Sequence, residues 1–372
     1  MQDTVTPVRP VPVAGELTGS WLRRLAAPYG LGPQDLLRGL LRGPHHVQVT
    51  GSPAAGLEVF LNGPAQGALA RAVGLPPARL AALLPSLADI PARLADATLV
   101  RAGWHAPRDR WVGACHACTG RLRRPGQPVL VYPGPAGQIC RRHRRWLLAH
   151  SGAPAGIGLE TLPDILAAHR QHLALMRRHP DAEQAVAFAA AVVWSWQLQG
   201  WQAETIWKDR ARRAAAAVGC APAVVEPHAL LAYPETVTVA RVLAGPHWQQ
   251  RLRARSSLPG ATADALAQEI GHRIGRPWLA DWLRARAQIR PPTAAHTDPL
   301  RQWIGAAAQG AAADRLWSLS PALSRPPDYS GRAGRLAGRR RAGVLAQAQD
   351  LSMTGGWEPV AGQTPCAPVL CA

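Results

Sequence analysis

Cys115-His116-Ala117-Cys118 is followed, after 21 residues, by Cys140-Arg141-Arg142-His143. Each half holds two ligand-capable side chains separated by two residues, a spacing that lets both donors of one tight turn reach the same ion. Two such turns complete the tetrahedral Cys3His set that zinc prefers. The pattern predicts a small zinc-ribbon-like module with Cys115, Cys118, Cys140 and His143 as ligands. His116 and His150 are the histidines able to take the place of His143. Four protein ligands close the coordination sphere, so the expected Zn2+ builds structure and activates no water.

The surroundings of the knuckles are basic. Residues 101–150 contain ten arginines and a single acid, Asp109, and so carry nearly half of the formal net charge of +19. Three thiolates around a dication subtract about one charge, which leaves the segment strongly positive. A metal-stapled basic module most often faces phosphate. Arg121, Arg123, Arg124, Arg141, Arg142, Arg144 and Arg145 are therefore candidate DNA contacts, against the alternative of a generically solvated basic surface.

With 372 residues, 47% of them hydrophobic, the chain has room for two or three cored domains. The most apolar helical stretch, around Ala185 to Trp196, is too short to span a bilayer, and no charged segment followed by an apolar one opens the sequence. The expectation is a cytoplasmic protein with no membrane contact. Its cysteines read as metal ligands of a reducing compartment rather than as a disulfide framework, leaving Cys220, Cys366 and Cys371 outside the set. Lys208 is the only lysine, which excludes a phosphate loop of the Gly-Lys-Ser/Thr type.

Amino-terminal to the knuckles lies a repeat. Leu25-Ala26, Gly30-Leu31, Pro33, Leu36 and Leu40 recur 44 residues later as Leu69-Ala70, Gly74-Leu75, Pro77, Leu80 and Leu84. A small residue, a glycine four positions on and spaced aliphatics are what a helix-turn-helix needs. Two such units are predicted, over roughly residues 16–42 and 66–85, with Thr18, Gly19 or Ser20 as the first helix cap and a strand at Leu57 to Leu61 between them. Gln34, Arg38 and Arg42 in the first second helix, and Arg79 in the second, are the candidate DNA contacts. This set is thin for base readout, so the same helices serve equally well as structural or protein-contacting elements.

Beyond the knuckles the spacing predicts helices. Leu162, Ile165, Leu166, His169, Leu173 and Met176 share one face, Ala185 to Trp207 resumes after Pro180, and Pro234-Glu235-Thr236 opens a further helix with Glu near its positive end. Others are expected over Thr262 to Ile274, Trp278 to Ile289 and Pro299 to Trp317. His169 and His172 lie one turn apart without a companion carboxylate or cysteine, and read as residues of a solvated helix. Trp194, Trp196, Trp201 and Trp207 are expected to pack rather than stack on bases. After Ser324 arginine, glycine and proline take over, as in a mobile tail.

The opening of the chain resembles the TniQ family, the target-selection and adaptor proteins of transposons that use an AAA+ regulator. The residues that carry the likeness are Pro10, Pro12, Glu16, Ser20-Trp21-Leu22, Arg24-Leu25-Ala26 and Gly30, together with Cys115-x2-Cys118, Cys140-x2-His143 and the aliphatic pair Leu147-Leu148. The resemblance covers roughly residues 7–150 and implies a DNA-associated adaptor whose partners include DNA and an AAA+ regulator or another recombination protein.

These readings define a mainly α protein. An amino-terminal region with two helix-turn-helix-like units spans 1–100, a zinc-binding basic module 101–155, a helical domain 156–325 and a disordered tail 326–372. None of the 23 acids forms a convincing two-metal set, and no Gly-x-Ser-x-Gly or His-Glu-x2-His motif occurs. The expected function is non-catalytic: target selection or adaptation in transposition, with a homodimer compatible with the pattern. The alternatives are a protein adaptor with only non-specific DNA affinity and a stand-alone helix-turn-helix transcription regulator.

Overall fold

The repeat in the sequence is a repeat in the backbone. In the computed structural model, α1 (Thr18–Ala26) passes through a 3-10 turn, Ala27–Tyr29, into α2 (Pro33–Leu41), and α3 (Gly63–Val73) turns into α4 (Pro77–Leu83). The structure describes residues 10–41, 47–53, 56–88, 99–107, 111–120, 128–134, 136–148, 156–198, 205–218, 228–253, 259–289, 298–309 and 316–317. Gly30 and Gly74 turn the chain with φ of 64° and 65°. The amides of Leu31 and Leu75 then bond back to the carbonyls of Ala26 and Ala70 at 3.3 and 3.1 Å, closing both first helices in the same way. A Cβ on Gly30 would meet nothing within 4 Å, so the left-handed backbone, not lack of space, selects glycine there. Pro33 and Pro77 begin the second helices, where a missing amide costs no hydrogen bond.

The start of α1 departs from the expectation. Thr18, Gly19 and Ser20 lie inside the helix, and Leu17 occupies the cap position without a side-chain bond. The cap comes from elsewhere in the fold: the Glu58 carboxylate accepts from the Gly19 amide at 3.2 Å. Gly19 makes this approach feasible, because a Cβ there would lie 2.3 Å from the Leu57 carbonyl oxygen.

Glu58 belongs to a sheet of which the sequence disclosed only one strand. β1 (Val47–Thr50), β2 (Glu58–Leu61) and β3 (Val100–His105) form a three-stranded sheet in the order β1-β3-β2. β1 runs parallel to the central β3, with Val47 opposite Val100, and β2 runs antiparallel to it, with Val59 opposite Trp104. Trp21, Leu25, Leu37, Leu69 and Leu80 pack with Val59, Leu61 and Trp104 into one core. Asn62 caps α3 by accepting from the Ala65 amide at 3.2 Å and donates to the Leu99 carbonyl at 2.6 Å, tying the helix to the end of β3.

The chain divides into two units, one through Thr161 and one starting at Leu162. The second consists of α6 (Pro163–Arg178), α7 (Ala182–Leu198), α8 (Thr205–Val218), α9 (His228–Leu231), α10 (Tyr233–Ala244), α11 (Pro246–Arg253), α12 (Pro259–Arg273), α13 (Leu279–Ile289) and α14 (Pro299–Ala308). With α1 to α4 and the single-turn helix α5 (His116–Thr119) these make fourteen α-helices among the described residues, and the longest strand has six residues. The protein is mainly α. Within the expected span Pro299 to Trp317, α14 covers Pro299–Ala308, and Leu316 and Trp317 are again helical. No helix of the described residues is long and apolar enough to cross a membrane.

α10 lies at the centre of the second unit, packed on α6 and α7, and of its twelve residues only Arg241 is exposed. Glu235, in its first turn, is a buried hub. It pairs with Arg210 at 2.9 Å and Arg276 at 3.1 Å and accepts from the Trp207 indole at 3.1 Å, while Arg210 reaches on to Asp164 at 2.6 Å. Two acids and two arginines thus balance inside the bundle, joining α6, α8 and α10 to the turn before α13. Trp196 and Trp207 are buried and bonded to Asp298 and Glu235, as expected of packing residues. His169 and His172 correct the reading of a solvated helix. They are only 5% and 2% exposed, because α10 covers their face, and their Nδ1 atoms lie 3.2 and 2.8 Å from the Tyr233 hydroxyl.

Candidate metal centre

The two knuckles stand at the ends of short strands. β4 (Val112–Gly113) leads into Cys115 and the single-turn helix α5 (His116–Thr119), and pairs antiparallel with β5 (Leu130–Val131). β6 (Ile139–Cys140) and β7 (Arg145–Trp146) form a hairpin whose turn is Cys140 to Arg145, and β8 (Ile157–Gly158) completes that sheet. The amide of Gly113 bonds the carbonyl of Leu148 at 2.8 Å, holding one knuckle against the other.

This arrangement brings all four candidate ligands together. One donor atom from each of Cys115, Cys118, Cys140 and His143 lies within 4.8 Å of the others. The Nδ1 of His143 is 3.4, 3.2 and 3.6 Å from the sulfurs of Cys115, Cys118 and Cys140. The Cys118 and Cys140 sulfurs are 3.7 Å apart. A tetrahedron built with zinc-length bonds, about 2.3 Å to sulfur and 2.0–2.1 Å to nitrogen, places its corners about 3.6–3.8 Å apart. A disulfide requires about 2.05 Å. The cluster therefore has the dimensions of an ion-binding cage.

Its electrostatics point the same way. Burial, and then hydrogen bonding to and repulsion by the neighbouring sulfurs, pushes the Cys118 thiol up to about 12. Burial also opposes ionisation of Cys140, but the amides of His143 and Arg142 and the two other thiols outweigh it and hold Cys140 below the ordinary thiol range. Three thiols in contact do not all ionise unless a cation neutralises them. The donor set fits a soft-to-borderline dication.

The second knuckle presents the arginines. Arg141, Arg142 and Arg144 are exposed, Arg145 is half-buried in β7, and Arg144 has a left-handed φ of 47°. Its carbonyl accepts from the Leu159 amide at 2.9 Å, which fixes a conformation that side chains seldom adopt. Arg121, Arg123, Arg124 and Arg42 lie outside the described residues, as do His150 and the arginine-rich tail. Of the helix-turn-helix candidates, Gln34 is half-buried, Arg38 is exposed but 3.6 Å from Asp35, and Arg79 is exposed on α4 beside Ala78 and Ala82.

Sequence reasoning missed what joins the module to the helices. The side chain of Ser20 donates to Glu16 at 3.0 Å and accepts from the Leu130 amide at 3.0 Å. Arg24 grips both oxygens of Glu16 at 2.9 and 2.6 Å in a fully buried pair, and the Trp21 indole bonds the Pro10 carbonyl at 2.7 Å. The amide of Leu17 bonds the Leu130 carbonyl at 2.9 Å, and the amide of Tyr132 bonds the Gly15 carbonyl at 2.8 Å. The Tyr132 hydroxyl ends on Glu58 at 2.9 Å. Glu16, Ser20, Trp21 and Arg24 are among the residues that carry the family likeness; Glu16 and Ser20 clamp the strand between the knuckles, and Arg24 and Trp21 fasten that clamp to the opening of the chain. A buried Glu–Arg pair eight residues apart in the opening motif was the available signal.

Residues 7–149 match the family model described as TniQ. The chain matches no curated protein and no solved structure. The match covers the clamp, both helix pairs and all four candidate ligands, so the similarity to the TniQ family lies in residues 7–149 of the 372.

Proposed function

We propose that the protein is a non-catalytic DNA-binding adaptor that selects or marks targets in a transposition or recombination system, with one structural Zn2+. The observation that carries this reading is the turn from Cys140 to Arg145. Its ligands Cys140 and His143 anchor it, and Arg141, Arg142 and Arg144 point into solvent with no acidic partner among the described residues. Guanidinium groups held on a rigid turn suit phosphate, since the fork is preorganised and little side-chain entropy is lost per bond. Zinc is the ion that three thiolates and one imidazole favour, and four protein ligands leave no open position for chemistry. An AAA+ regulator or another recombination protein is the proposed protein partner, a homodimer the proposed assembly and the cytoplasm the proposed location.

One observation favours a second reading for the helix pairs. The exposed face of α4 offers Pro76, Ala78, Arg79 and Ala82, a surface of small apolar groups better matched to a protein than to base edges. In that case DNA affinity resides in the arginines alone.

Recovery and sequencing of genomic fragments bound by the zinc-loaded protein at physiological salt, against excess competitor DNA, tests the reading. A shared sequence among the fragments is the expected result. Fragments without a common sequence would remove target selection and leave the adaptor with non-specific affinity.

A further inference from the structure

Exposed arginines in the carboxy-terminal unit differ in what they meet: Arg213 bonds the Asp209 carbonyl and Arg251 lies over the Trp248 ring, while others meet acids. Arg212 pairs with Asp209, Arg273 with Glu269 at 2.6 Å, and Arg284 with Asp264 at 3.1 Å and Asp281 at 2.8 Å. Arg170, Arg177 and Arg178 on α6 and Arg241 on α10 are likewise exposed, yet none has an acidic partner among the described residues.

These four share one face. Arg170, Ala174, Arg177 and Arg178 recur at the spacing that stacks side chains on one side of a helix. Gln171, beside them, accepts from Arg241 at 2.8 Å, which brings the α10 arginine alongside. The one acid of α6, Asp164, is engaged by Arg210 at 2.6 Å. Helix dipoles favour cations in a last turn, where Arg177, Arg178 and Arg241 sit. They do not account for Arg170, two turns earlier, nor for the absence of any neutralising acid on a face where two helices bring their charges together.

The geometry points to this face as a second DNA-contacting surface that binds the phosphate backbone independently of the Cys140–Arg145 turn. From Arg170 to Arg177 the helix rises about 10 Å, and a duplex carries one charge per about 1.7 Å of its axis, so the face meets several phosphates at once. Phosphate contacts carry no sequence information, so the contact is sequence-independent. This inference rests on the DNA-binding reading given above.

The test is binding of the full zinc-loaded chain to a fluorescent DNA duplex of arbitrary sequence, from about 50 to 200 mM salt. Three variants are compared with the parent: R170A/R177A/R178A/R241A, R273A/R284A and R141A/R142A/R144G. The first should lower the slope of log affinity against log salt by about two to four, at about 0.9 per lost phosphate contact. The second, which removes exposed but paired arginines, should leave the slope unaltered. An unaltered slope in the first variant overturns the inference, and so does an equal drop in the second, which would reflect net charge alone. Loss of slope only in the third variant would remove the α6 face and leave the proposed function standing; loss only in the first would do the reverse. Should the quadruple variant not fold, Arg177→Glu alone carries the test, with weaker binding expected and unchanged binding contradicting it.

Discussion

At the scale of residues, the thiols Cys115 and Cys140 and the buried acids Glu235 and Glu58 bear on stability in different ways. Cys115→Ser or Cys140→Ser removes one corner of the metal cage. Each should abolish stoichiometric zinc and lower the melting temperature, as measured by elemental analysis and calorimetry. Full metal content in both variants would contradict the ligand set. Glu235 neutralises two buried arginines, Arg210 and Arg276. Glu235→Ala removes the carboxylate that both arginines share, leaves Arg210 only its ion pair with Asp164, and should destabilise the carboxy-terminal unit by about 3–5 kcal/mol in denaturant unfolding. Glu58 contributes in the opposite sense. Burial raises its pKa to about 7, against bonds from the Val59 amide, the Tyr132 hydroxyl and the Gly19 amide that lower it. The unfolded chain ionises this carboxyl near its ordinary value of 4.5. Its favourable contribution is therefore complete below that pH and is lost as pH rises through about 7. Glu58→Gln should flatten this part of the profile: the melting temperature of the parent relative to the variant should fall between about pH 4.5 and 7, and parallel profiles would refute the assignment.

At the scale of elements, the strand Leu130–Val131 belongs to the metal module by its pairing with β4 and to α1 by its bonds to Leu17 and Ser20. Removing the ion should thus loosen more than the knuckles. Hydrogen exchange after chelation is expected to rise in residues 15–26 and 58–61 as well as in 112–147, while α10 stays protected. Exchange confined to 112–147 would mean that the clamp transmits nothing. Ser20→Ala leaves the Leu130 amide without its acceptor and should cost about 1–3 kcal/mol. Much of this architecture was legible in the sequence. The seven-position repeat gave both helix pairs, because glycine at the turn and proline at the second helix start are demanded by backbone geometry. Cysteine spacing pointed to the cluster of Cys115, Cys118, Cys140 and His143, because ligand reach is local. The sheet was not legible beyond β2: Val47–Thr50 is only four residues long, and Val100–His105 contains Ala102 and Gly103, poor strand formers that are held by their partners. The capping of α1 by Glu58 and the burial of His169 and His172 under α10 were hidden for the same reason. Each depends on an element distant in sequence.

At the scale of the whole molecule, charge is unevenly distributed, and the arrangement of the exposed arginines says more than the formal +19. Arg141, Arg142 and Arg144 are carried on a hairpin that also holds the candidate ligands Cys140 and His143, whereas other exposed arginines are neutralised by acids one turn away. If that hairpin is the DNA surface, affinity should depend on its three guanidinium groups and fall steeply with salt. The most direct measurement is the affinity of zinc-loaded R141A/R142A/R144G for duplex DNA across a salt series, beside the parent protein. Glycine at position 144 removes the charge and relieves the left-handed backbone, so zinc content and fold should be retained. The expected result is weaker binding at low salt and a slope reduced by about two to three, at about 0.9 per contact. Parent-like affinity and slope in a variant that retains its zinc would contradict the assignment of this hairpin as the DNA interface.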